Sequence, residues 1–141
     1  MTRERRAAGL GVVAAALTLA LAALPYAVAR PTAVGTYYAA GPVSPVFVSL
    51  LAVIGAITLV SATTGRSDPP LAAGIAVTVG AFAVLLAALW AVPAREVALS
   101  MDLRAAFGTD ATTWFEHHSL AVVASTLVLA VASGLYTREV L

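Results

Sequence analysis

The densest group of side chains able to do chemistry is Glu116-His117-His118, with Asp110 just before it and Glu96 and Asp102 earlier in the same stretch. Imidazole and carboxylate together are ligands for zinc or copper, and a histidine titrating near neutrality can respond to protons. The spacing works against one ion shared by both histidines, because neighbours on a helix point about 100° apart. The plainer expectation is an interfacial turn at the edge of an apolar run, in which Glu116 caps a helix and both histidines sit among lipid headgroups.

The second group is aromatic. Tyr26, Tyr37, Tyr38, Phe47, Trp90, Phe107, Trp114 and Phe115 collect at one side of the apolar runs described below, against Tyr136 at the other side and Phe82 mid-run. Tyrosine and tryptophan favour membrane interfaces, yet a belt populates both of them. The excess predicts a small aromatic cap on one side, made by a belt together with packing inside the loops; a recognition surface on Tyr37, Tyr38, Trp90 and Trp114 is the alternative.

Other chemistry is excluded by composition. Cysteine is absent, which removes disulfides, thiolate metal sites and thiol redox work. The eight basic residues are all arginine, seven acids leave a net charge of +1, and a nucleic-acid-binding patch has nothing to be built from. No nucleophile-elbow, zinc-protease, P-loop or dinucleotide-binding pattern occurs, so catalysis has no motif behind it. Hydrophobic residues make up 61% and charged residues 11%, against roughly 45–50% and 25% in soluble domains.

The elements that must position these groups are four charge-poor runs of about the 20 residues that an α-helix needs to cross a bilayer. They cover about 7–29, 46–64, 71–92 and 114–136, with loops over 30–45 and 93–113 on one side and a tight turn around Gly65 on the other. Ser44-Pro45, Asp68-Pro69 and Thr113…Glu116 read as helix starts, and Gly65 and Pro93 as exits. Arg3, Arg5, Arg6, Arg66 and Arg138 fall on the side of the termini, and Arg30, Arg95 and Arg104 on the other, so the positive-inside rule predicts cytoplasmic termini. A competing reading takes Arg3 to Ala29 as a cleavable signal peptide ending in Ala27-Val28-Ala29; the length of the first run favours a retained span.

The predicted fold is therefore an all-α, antiparallel four-helix transmembrane bundle. Leu21-Ala-Ala-Leu24 matches Leu86-Ala-Ala-Leu89, which suggests two repeated helical hairpins. Ala52-x-x-x-Ala56, Gly74-x-x-x-Thr78 and Ala130-x-x-x-Gly134 are the candidate small-residue contacts between helices. No Asp, Glu, Arg or His lies mid-span. The polar residues there are hydroxyls such as Thr18, Thr58, Ser61, Thr78, Ser125 and Ser133, whereas ion-coupled transport normally needs intramembrane ionisable groups.

Pro25-Tyr26, Val34-Gly-Thr-Tyr-Tyr38, Asp68-Pro-Pro-Leu-Ala-Ala-Gly74 and Thr113-Trp-Phe-Glu-His117 together resemble a group of small four-span membrane proteins of halophilic archaea. The resemblance covers nearly the whole chain and implies a four-span membrane fold, without an activity to transfer. The expected function is a non-catalytic accessory or scaffold subunit that needs no cofactor. Its partners are the lipid bilayer and another membrane protein or a second copy of itself. A small oligomeric permease or channel, and a metal-binding or redox-linked site at Glu116, His117 and His118, are the alternatives.

Overall fold

The first helix, α1 (Arg3–Val28), begins where the Thr2 hydroxyl accepts from the Arg5 N–H at 3.3 Å. A short helix, α2 (Pro31–Tyr38), follows almost at once, with Pro31 at its first position. Ser44 then caps α3 (Pro45–Thr63) through the Val46 N–H, and the Asp68 carboxylate opens α4 (Pro69–Ser100) by accepting from the Leu71 N–H. The last helix is α5 (Thr112–Val140). The computed structural model describes residues 2–100 and 112–141, and side chains over 2–100 and 116–141. The Thr113 cap and the acids Asp102 and Asp110 lie outside the described side chains.

Four of these helices are long and apolar enough to cross a membrane, and the chain is a multi-pass membrane protein. They form an antiparallel ring in which α1 packs on α3 and α5, and α4 packs on α3 and α5. The expected all-α four-helix bundle is what the chain forms. Both termini lie at one end, and α2 covers the opposite end.

Size, more than polarity, decides which side of each helix faces in. The buried positions are largely alanine, as at Ala14, Ala15, Ala52, Ala73, Ala83 and Ala132, while Leu17, Leu50, Ile57, Leu85 and Val131 face out. Lipid is as apolar as leucine, so no hydrophobic contrast pulls large side chains inward. Close backbone approach between small residues is what packs the helices. The core at the terminal end is alanine closed by Leu59, Leu129 and Tyr136; the core at the α2 end is built on Tyr37, Tyr38 and Trp90.

Polar links tie the helices together inside. The hydroxyls of Thr18 and Ser125 lie 2.8 Å apart and join α1 to α5, and each also reaches a carbonyl of its own helix, Ala14 at 2.9 Å and Val122 at 2.8 Å. Lower down, Thr137 reaches the Ala73 carbonyl of α4 at 3.2 Å.

The expected exit at Gly65 is correct in detail. Gly65 has φ +70°, its N–H meets the Ala62 carbonyl, and the Arg66 N–H meets the Ser61 carbonyl at 2.9 Å. This double closure needs a left-handed residue just past the helix end. Gly65→Ala is expected to destabilise the fold by about 1–2 kcal/mol, the cost of that conformation for a residue with a Cβ. A lower melting temperature in detergent micelles is the check, and an unchanged value counts against the turn as described.

Two sequence expectations are corrected here. The 30–45 loop contains a helix, α2. Pro93, read as an exit, lies inside α4, which continues for seven more residues to Ser100. Pro25 likewise lies inside α1.

Candidate functional site

A proline inside a helix has no N–H to give to the carbonyl four residues earlier. Pro25 therefore leaves the Leu21 carbonyl of α1 without its helical partner, and Pro93 does the same to the Leu89 carbonyl of α4. Both free carbonyls fall at the α2 end, where a buried polar atom without a partner costs about 1–3 kcal/mol.

The Leu21 carbonyl is met by His118 of α5, whose Nε2 lies 2.6 Å away. Since a carbonyl can only accept, Nε2 carries the proton. In the neutral ring Nδ1 is then an acceptor, and it takes the Tyr37 hydroxyl proton at 3.1 Å. His118 thus joins α1, α2 and α5 through one ring, and it is 2% exposed.

Tyr37 and Tyr38 close the site from α2. The Tyr38 hydroxyl donates to the Ala22 carbonyl of α1, and the Trp90 indole N–H of α4 donates to the Tyr37 backbone carbonyl at 3.3 Å. Trp90 meets both tyrosine rings edge to face, with centroids 5.1 and 5.6 Å apart, the geometry that aromatic quadrupoles favour. Tyr26 meets Tyr38 in the same way at 5.5 Å. The turn after α2 brings Gly41 against α4 at its proline: a Cβ there would lie 3.2 Å from the Leu89 carbonyl oxygen and 3.0 Å from Trp90 Cα. The turn thus lies close against α4 beside the carbonyl that Pro93 leaves without its helical donor.

Burial pushes the phenols of Tyr37 and Tyr38 above the ordinary range, with Ser119 opposing the shift at Tyr37 and the neighbouring tyrosines adding to it at Tyr38. Both therefore remain neutral donors. A group whose folded pKa is raised contributes stability that is complete below its unfolded value, about 10 for tyrosine, and is lost as pH climbs through the folded one. The stability that these two phenols contribute is expected to be lost above about pH 10. Phenolate absorbance should show Tyr37 and Tyr38 ionising late, as the part of the titration missing from a Tyr37→Phe/Tyr38→Phe double variant. Removal of an early-ionising component instead would contradict their burial.

Against this geometry the expected sites separate. His117 is exposed and Glu116 half-buried, while His118 is buried and bonded at both ring nitrogens. The three do not converge. Among the described residues no group of three His, Asp or Glu side chains is placed to hold a metal ion. Tyr37, Tyr38 and Trp90 are at most 5% exposed, so these three are interior packing and the alternative of a recognition surface on them does not hold; Trp114 lies outside the described side chains. What sequence reasoning missed is the pairing of an in-helix proline with a donor on another helix. The available signal was a histidine inside an apolar run, opposite a run that contains Pro25.

The family of unknown function DUF7548 matches the chain along residues 1–141. The chain belongs to that family. No curated protein and no solved structure matches the chain.

Proposed function

We propose that this protein is a non-catalytic accessory or scaffold subunit of the cytoplasmic membrane, which works by packing against another membrane protein or a second copy of itself. One observation carries the reading: the side chains best suited to chemistry are bonded inward. His118, Tyr37, Tyr38 and Trp90 are held by backbone carbonyls and by one another, under a helix that covers them. The centre of the bundle is filled by Ala15, Leu59, Leu129 and Ala132, each fully buried. A solute would need a route between chains, and an oligomeric permease is the alternative that the test must separate.

Cytoplasmic termini are supported by the excess of arginine at that end, and the resemblance to membrane proteins of halophilic archaea supports an archaeal source. The absence of cysteine makes the orientation directly testable. A Thr36→Cys variant is expected to react with a membrane-impermeant maleimide on intact cells, and a Thr64→Cys variant only after permeabilisation; the reverse pattern inverts the topology.

The function itself is tested by purification from native membranes in mild detergent through a small C-terminal tag. A second membrane protein at fixed stoichiometry supports the subunit reading. A pure homo-oligomer that makes liposomes permeable to ions or small solutes overturns it in favour of a permease.

A further inference from the structure

At the end of the bundle that carries the termini, a groove of about 440 Å³ runs between α1 and α3, lined by Arg5, Ala8, Gly9, Val12, Val60 and Thr63. Its chemistry changes along its length. Arg5 is exposed in the first turn of α1, and beyond it the wall is small or aliphatic as the helices run into the apolar span. A Cβ at Gly9 would meet nothing within 4 Å, so no neighbouring side chain of the bundle fills this stretch.

We propose that this groove binds one anionic phospholipid, with its phosphate on the Arg5 guanidinium and one acyl chain along Gly9, Val12 and Val60. The occupant follows from the order of the groups. A cation at the depth of the headgroups followed by an apolar trough matches a molecule with an anionic head and a hydrocarbon tail. Arginine presents a planar fork of N–H donors that fits phosphate oxygens. The field at this end has the right sign, with Arg3, Arg5, Arg6, Arg66 and Arg138 against Glu4, Asp68 and Glu139. The groove on the other side of α1 is a useful contrast: it has Arg3 and Arg6, but Glu139 also lines it and offsets their charge. The groove beside Arg5 has no acidic lining residue. The site requires only that the four helices span a membrane, and it holds whether or not the protein is a subunit of something larger.

The test is native mass spectrometry of the full chain in a neutral detergent, titrated with phosphatidylglycerol and, separately, with phosphatidylcholine of the same acyl chains. The wild type is expected to retain phosphatidylglycerol in preference. Arg5→Gln should weaken that retention about fivefold, the effect of one basic residue near an anionic surface. Gly9→Leu should weaken retention of both lipids by occupying the trough; its backbone position is open, so the variant folds, and circular dichroism verifies this. Arg138→Gln removes a charge at the same end, outside the groove, and should leave retention unchanged. Equal retention of the two lipids by the wild type overturns the proposal. So does wild-type retention in Arg5→Gln and Gly9→Leu, and so does a loss in Arg138→Gln as large as that in Arg5→Gln, which would mean diffuse attraction to charge.

Discussion

His118→Leu is expected to lower stability by about 1–3 kcal/mol, the cost of leaving the Leu21 carbonyl without its partner, with the lost Tyr37 contact adding to it. The Leu21 carbonyl loses the donor that stands in for the missing Pro25 N–H, and the Tyr37 hydroxyl loses its contact with Nδ1. Leucine has a volume close to that of histidine, so the loss reports hydrogen bonding more than packing. The argument has a sharper consequence. If Pro25 is what makes the Leu21 carbonyl need His118, then Pro25→Ala, which restores a helical N–H to that carbonyl, should make His118→Leu less costly. Thermal melts of the wild type, the two single variants and the double variant in one detergent measure this coupling, expected at about 1–2 kcal/mol. Strict additivity would mean that the proline and the histidine are independent, and the account of the site would fail. Gln at position 118 retains a donor and an acceptor and should fall between wild type and Leu.

Much of the fold could be read from the chain because a bilayer demands so much of a helix. Four runs of sufficient length and the caps at Ser44 and Asp68 place the helix starts, and Gly65 places one end. The site was far less legible. Pro93 looked like an exit by local rules, which register a missing N–H but not the carbonyl it frees, and Pro25 fell inside the first run without marking anything. What that carbonyl does depends on a side chain 97 residues away in the case of Leu21 and His118, and on the approach of Gly41 in the case of Leu89. The helix α2 is only eight residues long and its two tyrosines are equally at home at a membrane surface, so an aromatic cap and an aromatic recognition surface share one sequence pattern. Burial decides between them.

The contacts between helices show the same limit from another side. In helices that are apolar all round, a small residue every fourth position marks no particular face. Gly74-x-x-x-Thr78 was an expected contact, yet Gly74 and Thr78 are exposed and a Cβ at Gly74 would meet nothing within 4 Å. Gly134 is equally open; of these positions Ala52 is the fully buried one. The close crossing of α4 and α5 is made between Gly80, which was not among the expected positions, and Ala130, which was: a Cβ at Gly80 would lie 3.0 Å from Ala130 Cα.

That contrast yields the second large expected effect. Gly80→Val places branched carbon against the backbone of α5, which cannot step aside as a side-chain tip can, so the two helices must separate along their shared length. Overpacking of a rigid contact costs about 1–3 kcal/mol and sometimes more, and here the displaced helix also carries His118 and Ser125, whose bonds to α1 depend on the same packing. A loss of at least about 3 kcal/mol is expected, the upper end of that range. Gly74→Val adds the same side chain to the same helix and should change stability by less than about 0.5 kcal/mol, the usual scale for an open surface position. Comparing the two variants by thermal unfolding in one detergent removes helix propensity from the question, since each replaces glycine with valine within α4. Equal losses would show that the crossing of α4 and α5 does not rest on Gly80, whereas a loss confined to Gly80→Val ties the bundle, and with it the proline-histidine lock under α2, to the close approach of Gly80 and Ala130.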